Sequence, residues 1–156
     1  MTNLASNGKA LTTKNTFSRE TAISIDIQAD KSIIWALLTN AADYPRWNST
    51  VISIDGTIAQ GGKIQLKSTL DPKRVFKLSV KEFEAEHKLV WGDAMGKRIY
   101  TLTTIGNGRT NFTMNEKIGG PFFPLFAKMI PSFDEAFEQF ASDLKKESET
   151  LGIVSK

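Results

Sequence analysis

Six of the chain's ten phenylalanines fall between Phe122 and Phe140. Phe122, Phe126, Met129, Phe133, Phe137, Phe140 and Leu144 succeed one another at intervals of three or four, the spacing that gathers side chains on one side of an α-helix. Such a stripe has to be covered, and the stretch before it reads as short strands and turns. The pattern predicts a curved sheet closed over an aromatic helix, an arrangement that leaves a hollow between the two.

The strand pattern begins at Thr21 to Ile27, where Ile23, Ile25 and Ile27 alternate with Ser24 and Asp26, the period of a half-buried strand. Asp30 is placed to cap a short helix over Lys31 to Leu38. Asn40 to Trp47 follows as a compact turn or second short helix, because Pro45 forbids a regular helix interior. Six further strands are expected: Val51 to Ile58, Lys63 to Leu70, Arg74 to Phe83, Leu89 to Trp91, Arg98 to Thr104 and Thr110 to Ile118. Between them lie turn signals such as Asp55-Gly56, Gly61-Gly62 and Asn107-Gly108, the last expected to supply positive φ angles for a tight hairpin. The C-terminal helical region should begin near Pro121, kink or break at Pro131, and restart at the capping-box pattern Ser132-Phe133-Asp134-Glu135, running to about Glu149.

At 156 residues the chain fits one domain, expected over 17–151 between a flexible tail at 1–16 and a short one at 152–156. No segment approaches the roughly 18 uninterrupted apolar residues of a membrane span, and the leading residues lack a signal peptide's apolar run. A cytoplasmic protein without integral membrane contact is expected. There is no cysteine, which excludes disulfides and thiolate chemistry. The lone histidine, His87, lies in a polar joint between strand patterns, so histidine triads and multi-histidine metal sites are excluded too. No metal or other cofactor is expected, there being neither a ligand cluster nor a phosphate-binding glycine loop. The net charge of +3 is too small for a dedicated nucleic-acid surface. Lys63, Lys67, Lys77 and Lys81 fall on the outward phase of two strands and read as a solvated sheet face.

Trp35-Ala36-Leu37-Leu38-Thr39-Asn40, then Asp43-Tyr44-Pro45-Arg46-Trp47-Asn48, resembles the opening signature of the SRPBCC, or START-like, superfamily, in its polyketide cyclase/dehydrase-like branch. Gly108 to Thr113, running on through Glu116 to Gly119-Gly120-Pro121, is similar to that branch's last strand and its passage into the long helix. The resemblance spans about Thr21 to Leu144. It implies an α+β helix-grip fold: a seven-stranded curved antiparallel sheet wrapped around the C-terminal helix, with two short helices between strands one and two. It also implies a hydrophobic small-molecule partner, such as a lipid, polyketide or aromatic metabolite. Relatives often carry a histidine two residues before the acidic residue of the last strand. Here Met114 stands there, which favours a greasy ligand over acid-base chemistry.

Alternation places Thr110, Phe112, Met114, Glu116 and Ile118 on the face toward the helix, together with Phe76, Leu78, Trp91 and Tyr100. Glu116 is the candidate general base, its carboxylate expected to be desolvated beside Met114 and Phe112. The alternative has it reach water or an arginine such as Arg98. Tyr100, the second candidate catalytic residue, and Trp91 bring a hydroxyl and an indole N–H to the same face, where they serve either a ligand or the core. Phe122, Phe126 and Met129, ahead of the predicted break, are expected as cavity wall; Trp47 is expected to pin the Asn40 to Trp47 turn with Tyr44, a turn that the resemblance places at the pocket entrance, where Trp47 would meet the ligand. Three functions remain open: a binder of a hydrophobic small molecule, a cyclase or dehydratase-like lyase, and a co-chaperone or interaction module using the basic outer sheet face.

Overall fold

The computed structural model describes residues 7–154. Its strands are β1 (Leu11–Lys14), β2 (Ser18–Ile27), β3 (Val51–Gly56), β4 (Lys63–Ser68), β5 (Asp71–Glu84), β6 (Lys88–Gly92), β7 (Gly96–Gly106) and β8 (Arg109–Gly119). Its helices are α1 (Lys31–Thr39), α2 (Tyr44–Trp47), α3 (Phe123–Phe126) and α4 (Asp134–Val154), with single 3-10 turns at Ala41–Asp43 and Ala127–Met129. All eight strands form one sheet in the order β1-β2-β8-β7-β6-β5-β4-β3, and every neighbouring pair is antiparallel.

Eight strands, not seven, is a correction to the expected sheet. The additional one, β1, lies in the stretch read as a loose tail and pairs with β2 from Leu11 opposite Ala22 to Lys14 opposite Arg19. Its mostly exposed Leu-Thr-Thr-Lys sequence carries no buried alternation, which is why periodicity passed over it. The short helices accordingly lie between β2 and β3. Residues 1–6 of the expected tail, and 155–156 at the other end, fall outside the described residues, while α4 continues to Val154.

Local chemistry explains the element ends. The Asp30 carboxylate accepts the Ser32 N–H at 3.1 Å and caps α1, and Pro45 sits in the first turn of α2, where its missing N–H costs nothing. In the β7–β8 hairpin only Gly108 takes a positive φ, +66°, so Asn107 does not share that role. Gly119 is needed for close approach: a Cβ there would meet the Phe17 carbonyl oxygen at 2.4 Å.

The sheet must curve, because both of its flanks are tied to the same helix. On the β1 side the Thr12 hydroxyl donates to Asp134 and the Ala10 N–H donates to Glu138 at 3.0 Å. On the β3 side the Ser49 N–H donates to Asp143 at 2.8 Å. Register shifts in the β3–β4, β4–β5, β5–β6 and β7–β8 ladders provide the bends. Inside the wrap, α4 presents Phe137, Phe140, Ala141 and Leu144, all buried. Phe140 is the centre of an aromatic cluster, with ring centroids 5.9 Å from Trp47, 5.9 Å from Tyr100 and 6.3 Å from both Tyr44 and Phe112.

The predicted stripe does not continue unbroken across Pro131. α3 is a single turn, and the chain reaches α4 through an extended Ile130. The helix restarts at Asp134, whose N–H is accepted by Ser132 Oγ at 3.3 Å, so the serine caps two residues on where the capping-box pattern implied three. Because the two pieces are separate, their phases are independent. Phe122 and Met129 are 70% and 78% exposed, whereas Phe123, outside the predicted stripe, is 3% exposed.

Candidate functional site

Between the inner sheet face and the N-terminal half of α4 lies a cavity of about 570 Å3. Its floor is Tyr44 and Phe140, and its sheet wall comprises Leu66 and Ser68 from β4, Phe76 and Leu78 from β5, Trp91 from β6, Tyr100 from β7 and Met114 from β8. Ala136 and Phe137 close it from α4, Phe133 from just before that helix, and Phe126, Met129 and Ile130 from the α3 segment. The highly exposed Met129 among these residues marks the open end. The gap between sheet and helix is thus packed solid around Phe112, Phe140 and Leu144 and hollow beyond them.

Thr50, Ser68, Asp71, Arg74, Asp93 and Lys97 also reach the cavity, and one further polar group sits on the inner face of β7 and β8. In the β7–β8 ladder Arg98 stands opposite Glu116 and Tyr100 opposite Met114, so the two-residue strand period puts all four on the inner face. Arg98 Nε donates to Glu116 Oε1 at 2.6 Å, and the guanidinium lies 5.0 Å from the centre of the Phe137 ring. Burial works against the Arg98 charge, but the Glu116 carboxylate and the Tyr100 phenol outweigh it and hold the guanidinium above its ordinary pKa. Glu116 is therefore committed to an ion pair rather than isolated among apolar groups.

Tyr100 is the unusual member. It is 1% exposed, its ring meets Trp91 edge-on at 5.0 Å, and its Oη makes no hydrogen bond of ordinary geometry among the described residues, its polar neighbour being the Arg98 guanidinium. Burial pushes the phenol up to about 12, with the Arg98 charge and its contact to the phenol pulling the other way. A buried hydroxyl held this loosely is costly, so the Oη offers a hydrogen-bonding position on the cavity wall beside Arg98. Tyr44, the other phenol, is satisfied: its Oη donates to the Leu38 carbonyl at 2.7 Å, and burial raises its pKa well above the ordinary value.

Of the residues singled out from the sequence, Phe76, Leu78, Trp91, Tyr100, Met114, Glu116, Phe126 and Met129 border the cavity. Three do not. Phe112 lies deeper, stacked on Phe140; Trp47 is buried behind the floor, 5.0 Å from Tyr44; and Phe122 points outward.

Arg19 was missed. Its guanidinium donates to the carbonyls of Ile130 at 3.3 Å and Pro131 at 2.7 Å and sits 4.8 Å from the Phe133 ring centre. It thereby satisfies backbone groups at the break between α3 and α4. Burial lowers its pKa, against the charges of Asp134 and Glu116. The signal was available, since Arg19 shares the buried phase of Thr21, Ile23, Ile25 and Ile27. His87 is exposed, and no group of three or more His, Asp or Glu side chains suited to a metal ion occurs among the described residues.

Solved structures repeat this architecture. A conserved protein of unknown function from Enterococcus faecalis superposes with a TM-score of 0.67 at 16% identity, over 92% of this chain and 78% of its own. A START superfamily protein from Mycobacterium smegmatis gives 0.62 at 15% identity, over 85% and 98%. A norcoclaurine synthase point mutant from Thalictrum flavum, in complex with a transition state analogue, gives 0.65 at 11% identity, over 89% and 99%. At such identities the likeness is one of fold. No curated protein matches the chain. The family described as polyketide cyclase / dehydrase and lipid transport matches residues 18–149, and the chain belongs to that family.

Proposed function

We propose that the protein binds a hydrophobic small molecule in the cavity between sheet and α4, with one polar atom of the ligand on the Tyr100 phenol. The observation that carries this reading is the largely apolar cavity itself, with the loosely held Tyr100 Oη on its wall beside Arg98. Burying an apolar ligand at about 25 cal/mol per Å2 favours binding without any catalytic group. Family membership is consistent with a ligand of this kind. Lipid, polyketide and aromatic metabolite all meet the requirement.

A second reading is a lyase in which Glu116 moves a proton and Tyr100 or Arg98 steadies an oxyanion. It is favoured by the sharing of one cavity face by a carboxylate, a guanidinium and a phenol. The 2.6 Å ion pair to Arg98 weighs against Glu116 as a free base. Native mass spectrometry of protein purified without detergent, followed by titration with a fluorescent fatty acid, tests binding. A retained or titratable hydrophobic ligand at 1:1 supports it, and absence of both refutes it. Glu116→Gln should leave probe affinity within about threefold if the protein only binds, and should abolish turnover of polyketide-like substrates if it is an enzyme.

A further inference from the structure

At the open end of the cavity the surface is unusually apolar. Phe122, Leu125 and Met129 are 70%, 80% and 78% exposed on the short α3 segment, and Phe17 and Met95 are exposed beside it. Hydrogen bonds tie these pieces into one end of the molecule: Gly119 N–H to the Met95 carbonyl at 2.9 Å, and Gly120 N–H to the Phe17 carbonyl at 3.0 Å. Prolines at 121, 124 and 131 stiffen the projecting segment. Large apolar side chains exposed together at one end of a protein mark a place where something docks.

The charges around it indicate what. Lys128 lies within the apolar segment, and Lys97 and Lys117 face each other across the β7–β8 ladder beside Gly96 and Gly119. Lys81, Lys97 and Lys117 line one open hollow of about 400 Å3 that also includes Phe17 and Met95. All four lysines are exposed, and none makes an ion pair among the described residues. The one carboxylate lining the hollow, Asp93, is occupied in its own turn, accepting the N–H groups of Met95 and Gly96 at 2.9 and 3.1 Å. Glu20 stands opposite Lys117 in the β2–β8 ladder, which leaves lysine in excess, and apolar side chains projecting beside such an excess complement a bilayer that is hydrocarbon inside and anionic at its surface.

We infer that this end of the protein, the α3 segment with Phe17, Met95 and the four lysines, docks reversibly on anionic lipid bilayers and brings the cavity mouth to the membrane. Phe122, Leu125 and Met129 enter the headgroup region while Lys81, Lys97, Lys117 and Lys128 contact acidic headgroups. Docking concerns the outer surface and goes beyond the ligand reading, since the patch binds vesicles whether or not the cavity is filled.

Co-sedimentation of the full chain with vesicles tests it. Equal phosphatidylcholine and phosphatidylglycerol should pellet the protein, and phosphatidylcholine alone should not. The double substitution Phe122→Asp and Leu125→Asp should cut partitioning by roughly tenfold or more per residue. Lys97→Glu with Lys117→Glu should cut it by at least about fivefold per lysine. Phe122 and Leu125 are exposed and stand outside the cavity wall, so their substitution leaves the fold and the vesicle-free affinity for a fluorescent fatty acid intact. Failure of the wild type to bind anionic vesicles overturns the inference, as does binding that survives the aspartates, which would reduce it to general electrostatic attraction. Dimerisation in gel filtration that Leu125→Asp abolishes, without vesicle binding, assigns the patch to a second copy and overturns it equally.

Discussion

Tyr100 is the residue on which the proposed site depends, and its buried hydroxyl makes two expectations testable. Tyr100→Phe removes a buried hydroxyl whose polar neighbour, Arg98, holds it without a hydrogen bond of ordinary geometry, so the ligand-free protein should keep its stability within about 1 kcal/mol in chemical denaturation. The same change should weaken a ligand that uses the phenol by about three- to tenfold. A site that loses stability and keeps affinity would show that the hydroxyl serves the fold. The second expectation concerns pH. The chain has two tyrosines, and burial raises both, Tyr100 to about 12. The unfolded phenol ionises near pH 10, so the folded state holds its proton where the unfolded state has lost it. Stability from Tyr100 is therefore complete below about pH 10 and is lost as pH rises toward 12. Tyrosinate absorbance should stay flat in native protein through that window and appear together with unfolding. Early ionisation of one phenol in folded protein would contradict its burial. Tyr100, Met114 and Glu116 were readable from alternation, because β7 and β8 keep strict register at these positions. The pairing of Glu116 with Arg98, one of the alternatives left open for this carboxylate, depends on cross-strand register rather than on either strand's own period.

The elements most and least readable meet at Pro131. α4 was legible from its three- and four-residue spacing because it is a long amphipathic helix packed on β2 and α1. The α3 segment was misphased, since the spacing was carried back across the kink or break expected at Pro131, and a full break lets the two pieces turn independently. Phe123 rather than Phe122 turned out to be the buried aromatic. β1 escaped notice for a related reason: a four-residue edge strand with one intermediate and three exposed positions has no hydrophobic period to detect. The junction of α3 and α4 is held by Arg19, which makes it a separable unit. Arg19→Met keeps the aliphatic stem near Phe133 but removes both bonds to the Ile130 and Pro131 carbonyls. It should cost about 2 kcal/mol. Amide hydrogen exchange should accelerate over residues 121–133 and stay unchanged in α4 beyond Phe137. Uniform acceleration through α4 would mean that the two helices open together.

At the scale of the molecule, a sheet tied to α4 along both flanks encloses more space than its side chains fill. Phe112, Phe140 and Leu144 close one half of the wrap, and the cavity occupies the other. The helix-grip architecture was legible because order of elements and local motifs agree in this family. The division between solid core and hollow was not, because it depends on how far aromatic rings reach across the gap. No helix among the described residues is long and apolar enough to cross a membrane. The central claim is that the hollow admits a hydrophobic guest, and amide chemical-shift mapping during titration with a soluble anilinonaphthalene sulfonate tests it most directly. Shifts should concentrate at Leu78, Trp91, Tyr100, Met114 and Phe137 and saturate at one equivalent. Saturable shifts confined to the outer sheet face, or no shifts at all, would contradict the account.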